Sequence, residues 1–199
     1  MTTDEQFRLI FIGIIACFLP FALYHRIRSN MSGEKLDRWQ EGAFILFGLR
    51  LGALPWFVGW IAWMIDPKLL AFASMPFPLW LRWCGFILIA FWSLLFVWTF
   101  RTLGKNLTDT VVTRKEHSLV TSGPYRYLRH PFYLAFFIAV VGGSIAAANW
   151  FLFVSSFPPI AFLIARTRIE EEKLVERFGD QYRDYMHTTG RFWPRMRSR

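Results

Sequence analysis

Uncharged apolar runs alternate with short charged segments along this chain. The first three runs cover residues 9–24, 42–65 and 83–100, and the second is interrupted only by the charge of Arg50. A fourth run, residues 131–165, extends over 35 positions without Asp, Glu, Lys, Arg or His. A helix of about 20 apolar residues crosses the hydrocarbon core of a bilayer. The pattern therefore predicts an all-α, polytopic membrane protein.

The fourth run is too long for one span, and the sequence AAANW at 146–150 offers a turn near its middle. Two short spans of about 17 residues each would form a helical hairpin, which brings the total to about five transmembrane helices. The small residues at 142–144 are expected to let the two helices of the hairpin approach closely. The prolines at 158 and 159 are expected to kink or break the second helix. Residues 69–81 are apolar but short and contain two prolines, so we interpret them as an interfacial or re-entrant segment.

The basic residues predict the orientation of these spans. Lys and Arg number four between the first and second spans, six between the third and fourth, and nine after the fifth. The opposite side has three, namely Arg8, Lys68 and Arg82. Cytoplasmic segments carry the excess of Lys and Arg, so we predict an N-terminus outside and a cytoplasmic C-terminal helix. The acidic residues before the first run and the basic ones after it favour an uncleaved span over a signal peptide.

Composition excludes several other classes of protein. A net charge of +9 would suggest nucleic acid in a soluble protein, but here 54% of residues are hydrophobic and the basic residues border apolar runs. Membrane lipids are therefore the expected partners, and nucleic acid is not expected as a partner. Cys17 and Cys84 lie in apolar runs, which predicts buried thiols without a disulfide. The four histidines are widely spaced, so no metal site is predicted.

The first group of polar residues that could take part in binding or catalysis lies at the start of the hairpin. Pro131 is suited to the first position of a helix, which places Arg129 and His130 at the positive end of the helix dipole. Free backbone N–H groups at such an end bind anions. A basic pair that only anchors the helix at the membrane surface is the alternative interpretation of these two residues.

The second group follows the hairpin. The three glutamates at 170–172 are expected to open the tail helix. Leu174, Val175, Phe178, Tyr182 and Tyr185 form one apolar stripe at helical spacing, and Glu171 lies on that stripe. A carboxylate on a buried face is costly unless a cation pairs with it. Glu171 is therefore the glutamate expected to carry a specific function, with Gly179 as a possible end of the helix.

The order and spacing of these motifs resemble the isoprenylcysteine carboxyl methyltransferase and phospholipid methyltransferase superfamily of integral membrane enzymes. The resemblance covers residues 104–194, about half of the chain, and the first half matches only in hydropathy. It is carried by one ordered set of residues: Gly123, Pro124, Tyr125, Arg129, His130, Pro131, Tyr133, Glu170, Glu171, Leu174, Phe178, Gly179, Tyr182 and Tyr185.

The resemblance implies S-adenosylmethionine as cofactor and a lipophilic or amphiphilic methyl acceptor. The residues that it implies as lining the cofactor are His117, Leu119, Val120, Tyr125, His130, Tyr133, Glu170 and Glu171. Glu171 would hold the cofactor's α-amino group, Arg129 would lie at the anion site for its carboxylate, and Arg166 would lie towards the acceptor. Eukaryotic isoprenylcysteine enzymes usually have more than five spans, which speaks against a prenylcysteine acceptor but not against the cofactor. A bacterial or archaeal-type enzyme is expected, located in the prokaryotic inner membrane.

One membrane domain is expected over residues 1–199, with a three-span platform at 1–100 and the cofactor-binding half at 101–199. Helix breaks inside a bilayer occur where they border protein or a cavity, so the proline pair suggests a lateral entry route for the acceptor. The sequence leaves open whether a carboxylate, thiol or amine is methylated, and it leaves the oligomeric state open. An NADPH-dependent, sterol-reductase-like enzyme and a non-catalytic membrane interaction protein are the alternative functions.

Overall fold

The structure is a computed structural model that describes residues 2–30, 42–103 and 118–195. The longer regular elements within these ranges are all helices. They are α1 (Thr3–Asn30), α2 (Ala43–Ile65), α3 (Leu79–Leu103), α4 (Pro131–Ala147), α5 (Trp150–Val154), α6 (Phe157–Phe178) and α7 (Asp180–Thr188). Two short 3-10 helices, Pro67–Ala73 and Gly123–Arg126, precede α3 and α4 respectively.

Among the described residues, four helical stretches are long and apolar enough to cross a membrane: Thr3–Tyr24, Ala43–Ile65, Leu79–Leu103 and Trp150–Phe178. The helix Pro131–Ala147 is apolar but shorter. Each of the five apolar segments predicted from hydropathy therefore corresponds to helical structure. The predicted class of all-α, polytopic membrane protein is confirmed, with four long candidate spans and one short one.

The hairpin turn lies between α4 and α5 and is held by the segment before α3. Ala148 adopts the left-handed conformation with φ of 51°, and the Asn149 side chain accepts a hydrogen bond from the Leu152 amide at 3.3 Å. The Asn149 side chain also donates to the Leu70 carbonyl at 3.0 Å, and the Met75 amide donates to the Ala148 carbonyl at 2.7 Å. The segment at 67–78 thus covers the turn and forms no span of its own.

The closest helix contact in the hairpin region joins α4 to α3. A Cβ atom on Gly85 would lie 2.6 Å from the Gly142 carbonyl oxygen and 2.5 Å from the Ala146 amide nitrogen, so only glycine fits there. Gly143 faces the ring of Trp60 on α2 instead. The expectation that residues 142–144 draw the two hairpin helices together is therefore wrong, because their backbone surface faces the first half of the chain.

The second half of the hairpin is broken at Ser155 and Ser156, directly before the proline pair. Pro158 and Pro159 lie in the first turn of α6, where proline's missing amide hydrogen costs no helical hydrogen bond. From there α6 continues to Phe178 without interruption. The prediction that the glutamates at 170–172 open the tail helix is wrong, since they lie well inside α6 and far from its positive end. The predicted end at Gly179 is confirmed, with φ of 56° and α7 beginning at Asp180.

The helix α6 packs against α2 through glycines. A Cβ atom on Gly52 would lie 3.1 Å from Pro158 Cβ, and one on Gly48 would lie 2.2 Å from the Phe162 ring. The side of the helix break that faces α2 is therefore filled by protein, and the predicted lateral entry route does not pass between Gly48 and Phe162 in this structure.

A buried arginine connects the N-terminal part of α1 to α4 near the hairpin turn. Arg82 Nη1 lies 2.7 Å from Asp4 Oδ1, Arg82 Nε donates to the Ala146 carbonyl at 2.9 Å, and the guanidinium lies over the Phe7 ring. Cys17 and Cys84 are free, as predicted, but both are exposed on the surface of the bundle. The expectation that protein packing buries the thiols is therefore wrong.

Candidate functional site

The two polar groups predicted from the sequence meet at one end of the hairpin. His130 occupies the N-cap position of α4, while Glu170 and Glu171 lie in the last three turns of α6. His130 Nε2 lies 3.1 Å from Glu171 Oε1, and His130 Nδ1 lies 3.8 Å from Glu170 Oε2. The imidazole is therefore placed between two carboxylates that follow it by about forty residues in the chain.

Glu171 is the buried centre of this cluster, with a relative exposure of 3%. Its Oε1 accepts a hydrogen bond from Arg129 Nε at 2.8 Å and also contacts His130. Its Oε2 accepts a hydrogen bond from Arg191 Nε at 3.0 Å and another from Arg191 Nη2. The predicted burial of Glu171 and its need for a cation are confirmed. Both of its oxygens are occupied by protein groups.

Arg129 is held by contacts on three sides. Besides its bond to Glu171, its Nη1 donates to the carbonyls of Met186 and Thr189. Its backbone amide donates to the Gly190 carbonyl at 2.9 Å, and the His130 amide donates to the Arg191 carbonyl at 3.1 Å. These two amides precede α4, where the sequence predicts an anion site, and here both are used by the C-terminal segment. Arg129 thus joins α4, α6 and the chain after α7.

Glu170 is the more accessible carboxylate of the pair. Its side chain is 31% exposed, and its Oε2 accepts a hydrogen bond from the Tyr133 hydroxyl at 3.0 Å. Tyr133 and His130 meet edge to face with ring centroids 5.3 Å apart, and Phe192 adds a third ring 5.8 Å from His130. Aromatic rings and one carboxylate together form surroundings that attract a cation.

Tyrosine hydroxyls complete the polar end. Burial, followed by the charge of Glu170, raises the pKa of Tyr125, which places this phenol near the same carboxylate. Burial also raises the pKa of Tyr182 and of Tyr185. The raised pKa values keep all three hydroxyls neutral at physiological pH. The Tyr185 hydroxyl donates to the Tyr125 carbonyl at 2.5 Å, which joins α7 to the 3-10 helix before α4.

The remaining predicted residues lie on α6, in the segment before the 3-10 helix at Gly123–Arg126, or outside the described residues. Arg166 lies on α6 one turn before Glu170, and residues four apart on a helix share a face. Leu119 and Val120 are half-buried in the segment without regular secondary structure that leads into the 3-10 helix at Gly123–Arg126. His117 lies outside the described residues. In the described part of the chain no group of three or more His, Cys, Asp or Glu side chains is arranged so that it could hold a metal ion.

Arg191 and Phe192 are the site residues that the sequence predictions missed. They follow α7 in a polar segment without helical periodicity, so no pattern assigned them a partner. Gly190, directly before them, was the available signal, because a glycine after a helix often marks a fixed change of direction. The ion pair with Glu171 raises the pKa of Arg191, mainly through their hydrogen bonds, so its guanidinium is charged at physiological pH.

The fold and this cluster define a class: an all-α membrane protein with a paired-charge site at one end of its spans. Residues 83–176 match the model of the isoprenylcysteine carboxyl methyltransferase (ICMT) family. This match confirms the resemblance predicted from the sequence motifs, and it contains Arg129, His130, Glu170 and Glu171. Arg191 lies beyond the matched residues.

Curated relatives agree with the family match. The protein-S-isoprenylcysteine O-methyltransferase of Dictyostelium discoideum is 33% identical over 129 residues, which are 63% of this chain and 52% of the relative. The human enzyme of that name is 33% identical over 109 residues, which are 53% of this chain and 38% of the relative. The chain therefore spans about half the length of the Dictyostelium relative and less of the human one.

A solved structure shares the fold. The eukaryotic intramembrane Ras methyltransferase ICMT superimposes with a TM-score of 0.50 at 23% identity, covering 75% of this chain and 51% of the other. At this level of identity the likeness concerns the helical architecture. The predicted prokaryotic origin stays a prediction, since the relatives named here are eukaryotic. The predicted orientation in the membrane also stays a prediction.

Proposed function

We propose that this chain is an integral membrane methyltransferase that uses S-adenosylmethionine. The observation that carries the proposal is the position of His130 between Glu170 and Glu171. The two motifs that hold these residues are separated by an apolar hairpin, and a hairpin returns both to the same side of a membrane. The match of residues 83–176 to the methyltransferase family supports the same conclusion.

The residues at the site fit a cationic cofactor. S-adenosylmethionine carries a positive sulfonium, whose methyl group is open to attack by a nucleophile, and a positive ammonium. Glu170 offers a partly exposed carboxylate beside Tyr133 and His130. Glu171 has both oxygens bound by arginine and histidine, so we assign the ammonium to Glu170 and give Glu171 the role of ordering the site. This revises the role that the sequence motif assigns to Glu171.

We propose a carboxylate at the polar end of a lipophilic molecule as the methyl acceptor, with S-isoprenylcysteine as the leading chemical class. The relatives are named for O-methylation of S-isoprenylcysteine. Arg166 is the first charged residue after the 35 uncharged positions and lies one turn before Glu170. Its guanidinium would hold the acceptor's carboxylate where the apolar span ends. A carboxylate is already a nucleophile, so the protein contributes positioning and exclusion of water rather than a general base.

Titration calorimetry of the purified protein in detergent tests the cofactor. We expect S-adenosylmethionine to bind and NADPH to give no heat of binding. Glu170→Gln should weaken binding of S-adenosylmethionine by about 30- to 1,000-fold, the scale of losing one partner of a desolvated charge pair. Glu172→Gln is the matched control, because that neighbouring glutamate is exposed. Binding of NADPH in place of S-adenosylmethionine would replace the proposal with a reductase.

Transfer of radiolabelled methyl groups tests the acceptor. N-acetyl-S-farnesylcysteine and N-acetyl-S-methylcysteine carry the same carboxylate and differ in the apolar chain. We expect turnover of the farnesyl compound alone, and a large fall in its turnover in Arg166→Ala. Arg168→Ala is the control, since Arg168 is exposed on the same helix. Equal turnover of both acceptors would remove the lipophilic substrate from the proposal.

A further inference from the structure

The chain after α7 lies along the start of α4 and forms one wall of the site. Leu128 and Gly190 form a parallel bridge, and two hydrogen bonds follow it. The Arg129 amide donates to the Gly190 carbonyl at 2.9 Å, and the His130 amide donates to the Arg191 carbonyl at 3.1 Å. The C-terminal segment at 189–194 is therefore bonded to the backbone of the motif that carries His130.

Gly190 fixes the course of this segment. A Cβ atom on Gly190 would lie 1.8 Å from the Trp193 carbonyl oxygen. Because this oxygen belongs to the backbone, a change of side-chain rotamer could not relieve the clash. The chain therefore turns back on itself between these two residues. The turn leaves Arg191 pointing inward to Glu171, with one third of its side chain exposed.

Arg191 satisfies one side of the buried carboxylate, and two other groups satisfy the other side. Arg191 Nε donates to Glu171 Oε2 at 3.0 Å, and its Nη2 donates to the same oxygen. Glu171 Oε1 then faces Arg129 Nε at 2.8 Å and His130 Nε2 at 3.1 Å. A carboxylate that loses one of these partners would turn to seek another, because an unpaired buried charge is strongly disfavoured.

We propose that Arg191 is a positioning residue for cofactor binding. By holding Glu171 Oε2 it keeps Oε1 against His130, and this contact sets the imidazole so that Nδ1 faces Glu170. Arg191 thereby acts through Glu171 and His130 on the carboxylate assigned to the cofactor's ammonium. The inference rests on the proposed function and adds a residue outside the region that matches the methyltransferase family.

Arg195 offers a control within the same segment. It carries the same charge, and its Nη1 donates to the carbonyls of His187 at 2.5 Å and Met186 at 3.4 Å. Among the described residues no carboxylate pairs with it. If the segment acted only through its positive charge, replacing either arginine would have a similar effect. The proposed role depends on Arg191 alone.

The experiment compares wild type, Arg191→Ala, Arg191→Lys and Arg195→Ala in detergent, with S-adenosylmethionine as the titrant. We expect Arg191→Ala to raise the dissociation constant by about 10- to 100-fold. Arg191→Lys keeps the charge but lacks the planar fork that places two donors on Oε2, so it should recover part of the affinity. Arg195→Ala should stay within threefold of wild type.

Steady-state kinetics separates positioning from general damage to the fold. In Arg191→Ala the KM for S-adenosylmethionine should rise with the dissociation constant, while kcat at saturating cofactor falls much less. A fall in kcat without a change in KM, or equal losses in Arg191→Ala and Arg195→Ala, would overturn the inference. If Arg191→Ala does not fold, wild-type affinity in Arg191→Lys would overturn it equally. Failure of the wild type itself to bind S-adenosylmethionine would reject the proposed function instead.

Discussion

At the scale of single residues, the site is organised by a carboxylate with more cationic partners than its own charge requires. Glu171 contacts two guanidinium groups and an imidazole in a position that is 3% exposed. Replacing one member of a buried charge cluster leaves the others without compensation, which costs more than the pair contributes when intact. The adjacent Glu172 is exposed and has no such constraint.

Glu171→Gln should lower the free energy of unfolding by about 3–5 kcal/mol, because Arg129 and Arg191 would then face a neutral amide in a buried position. Thermal unfolding of the purified protein in detergent, followed by intrinsic tryptophan fluorescence, measures this change. Glu172→Gln should unfold within about 0.5 kcal/mol of wild type, as exposed charges usually do. Equal stability of the two variants would show that the charge cluster does not hold the fold together.

At the scale of helices, the contact between α3 and α4 sets the geometry of the site. The two backbones approach at Gly85 and Gly142, where neither position has room for a side chain. Close approach of small residues lets membrane helices gain packing contacts where the surrounding lipid offers no hydrophobic driving force. Since His130 occupies the residue position directly before α4, a shift of α4 along α3 would move the imidazole relative to Glu170 and Glu171.

Gly85→Ala should therefore destabilise the protein by about 1–3 kcal/mol through overpacking against the backbone of α4. Gly13→Ala is the matched control, since a Cβ atom on Gly13 meets nothing within 4 Å. That change should be neutral or stabilising by up to about 1 kcal/mol, because alanine favours a helix more than glycine does. The midpoint of thermal unfolding reports both effects. Similar midpoints for the two variants would contradict the close packing of α3 on α4.

At the scale of the whole molecule, the polar site and the hairpin turn lie at opposite ends of α4. The ion pair of the buried Arg82 with the exposed Asp4 lies with the hairpin turn, since Arg82 bonds to the Ala146 carbonyl. The distribution of Lys and Arg predicts that the end with the site faces the cytoplasm. A water-soluble cofactor would then reach Glu170 from the cytoplasm.

Cysteine labelling tests this orientation in intact cells. Single cysteines at Ser118 and Ser198, in a background without Cys17 and Cys84, should resist an impermeant thiol reagent added outside. A cysteine at Thr3 should react, because it precedes the first predicted span on the outer side. Both native cysteines must be replaced, since both are exposed on the surface of the bundle. Labelling at Ser198 from outside would reverse the predicted topology.

The sequence by itself determined the class of fold and part of the site, namely that Arg129, His130, Glu170 and Glu171 belong to it. Hydropathy located the spans because transfer of a side chain into lipid depends chiefly on that side chain and its neighbours along one helix. Helical periodicity identified Glu171 as a buried carboxylate for a similar local reason. The hairpin between the two motifs implied that His130 and the glutamates lie at the same end, which the structure confirms.

Only the tertiary structure decided which groups pair with each carboxylate. Arg191 approaches Glu171 because a turn at Gly190, after the rest of α6 and the whole of α7, brings it there, and such a path has no signature in local periodicity. The start of α6 was misplaced for a related reason: the charged residues at 166–172 look like a new element, yet the helix that holds them begins inside the apolar run. Pairing in space depends on where loops return the chain, whereas burial of a helix face depends on residues a few positions apart.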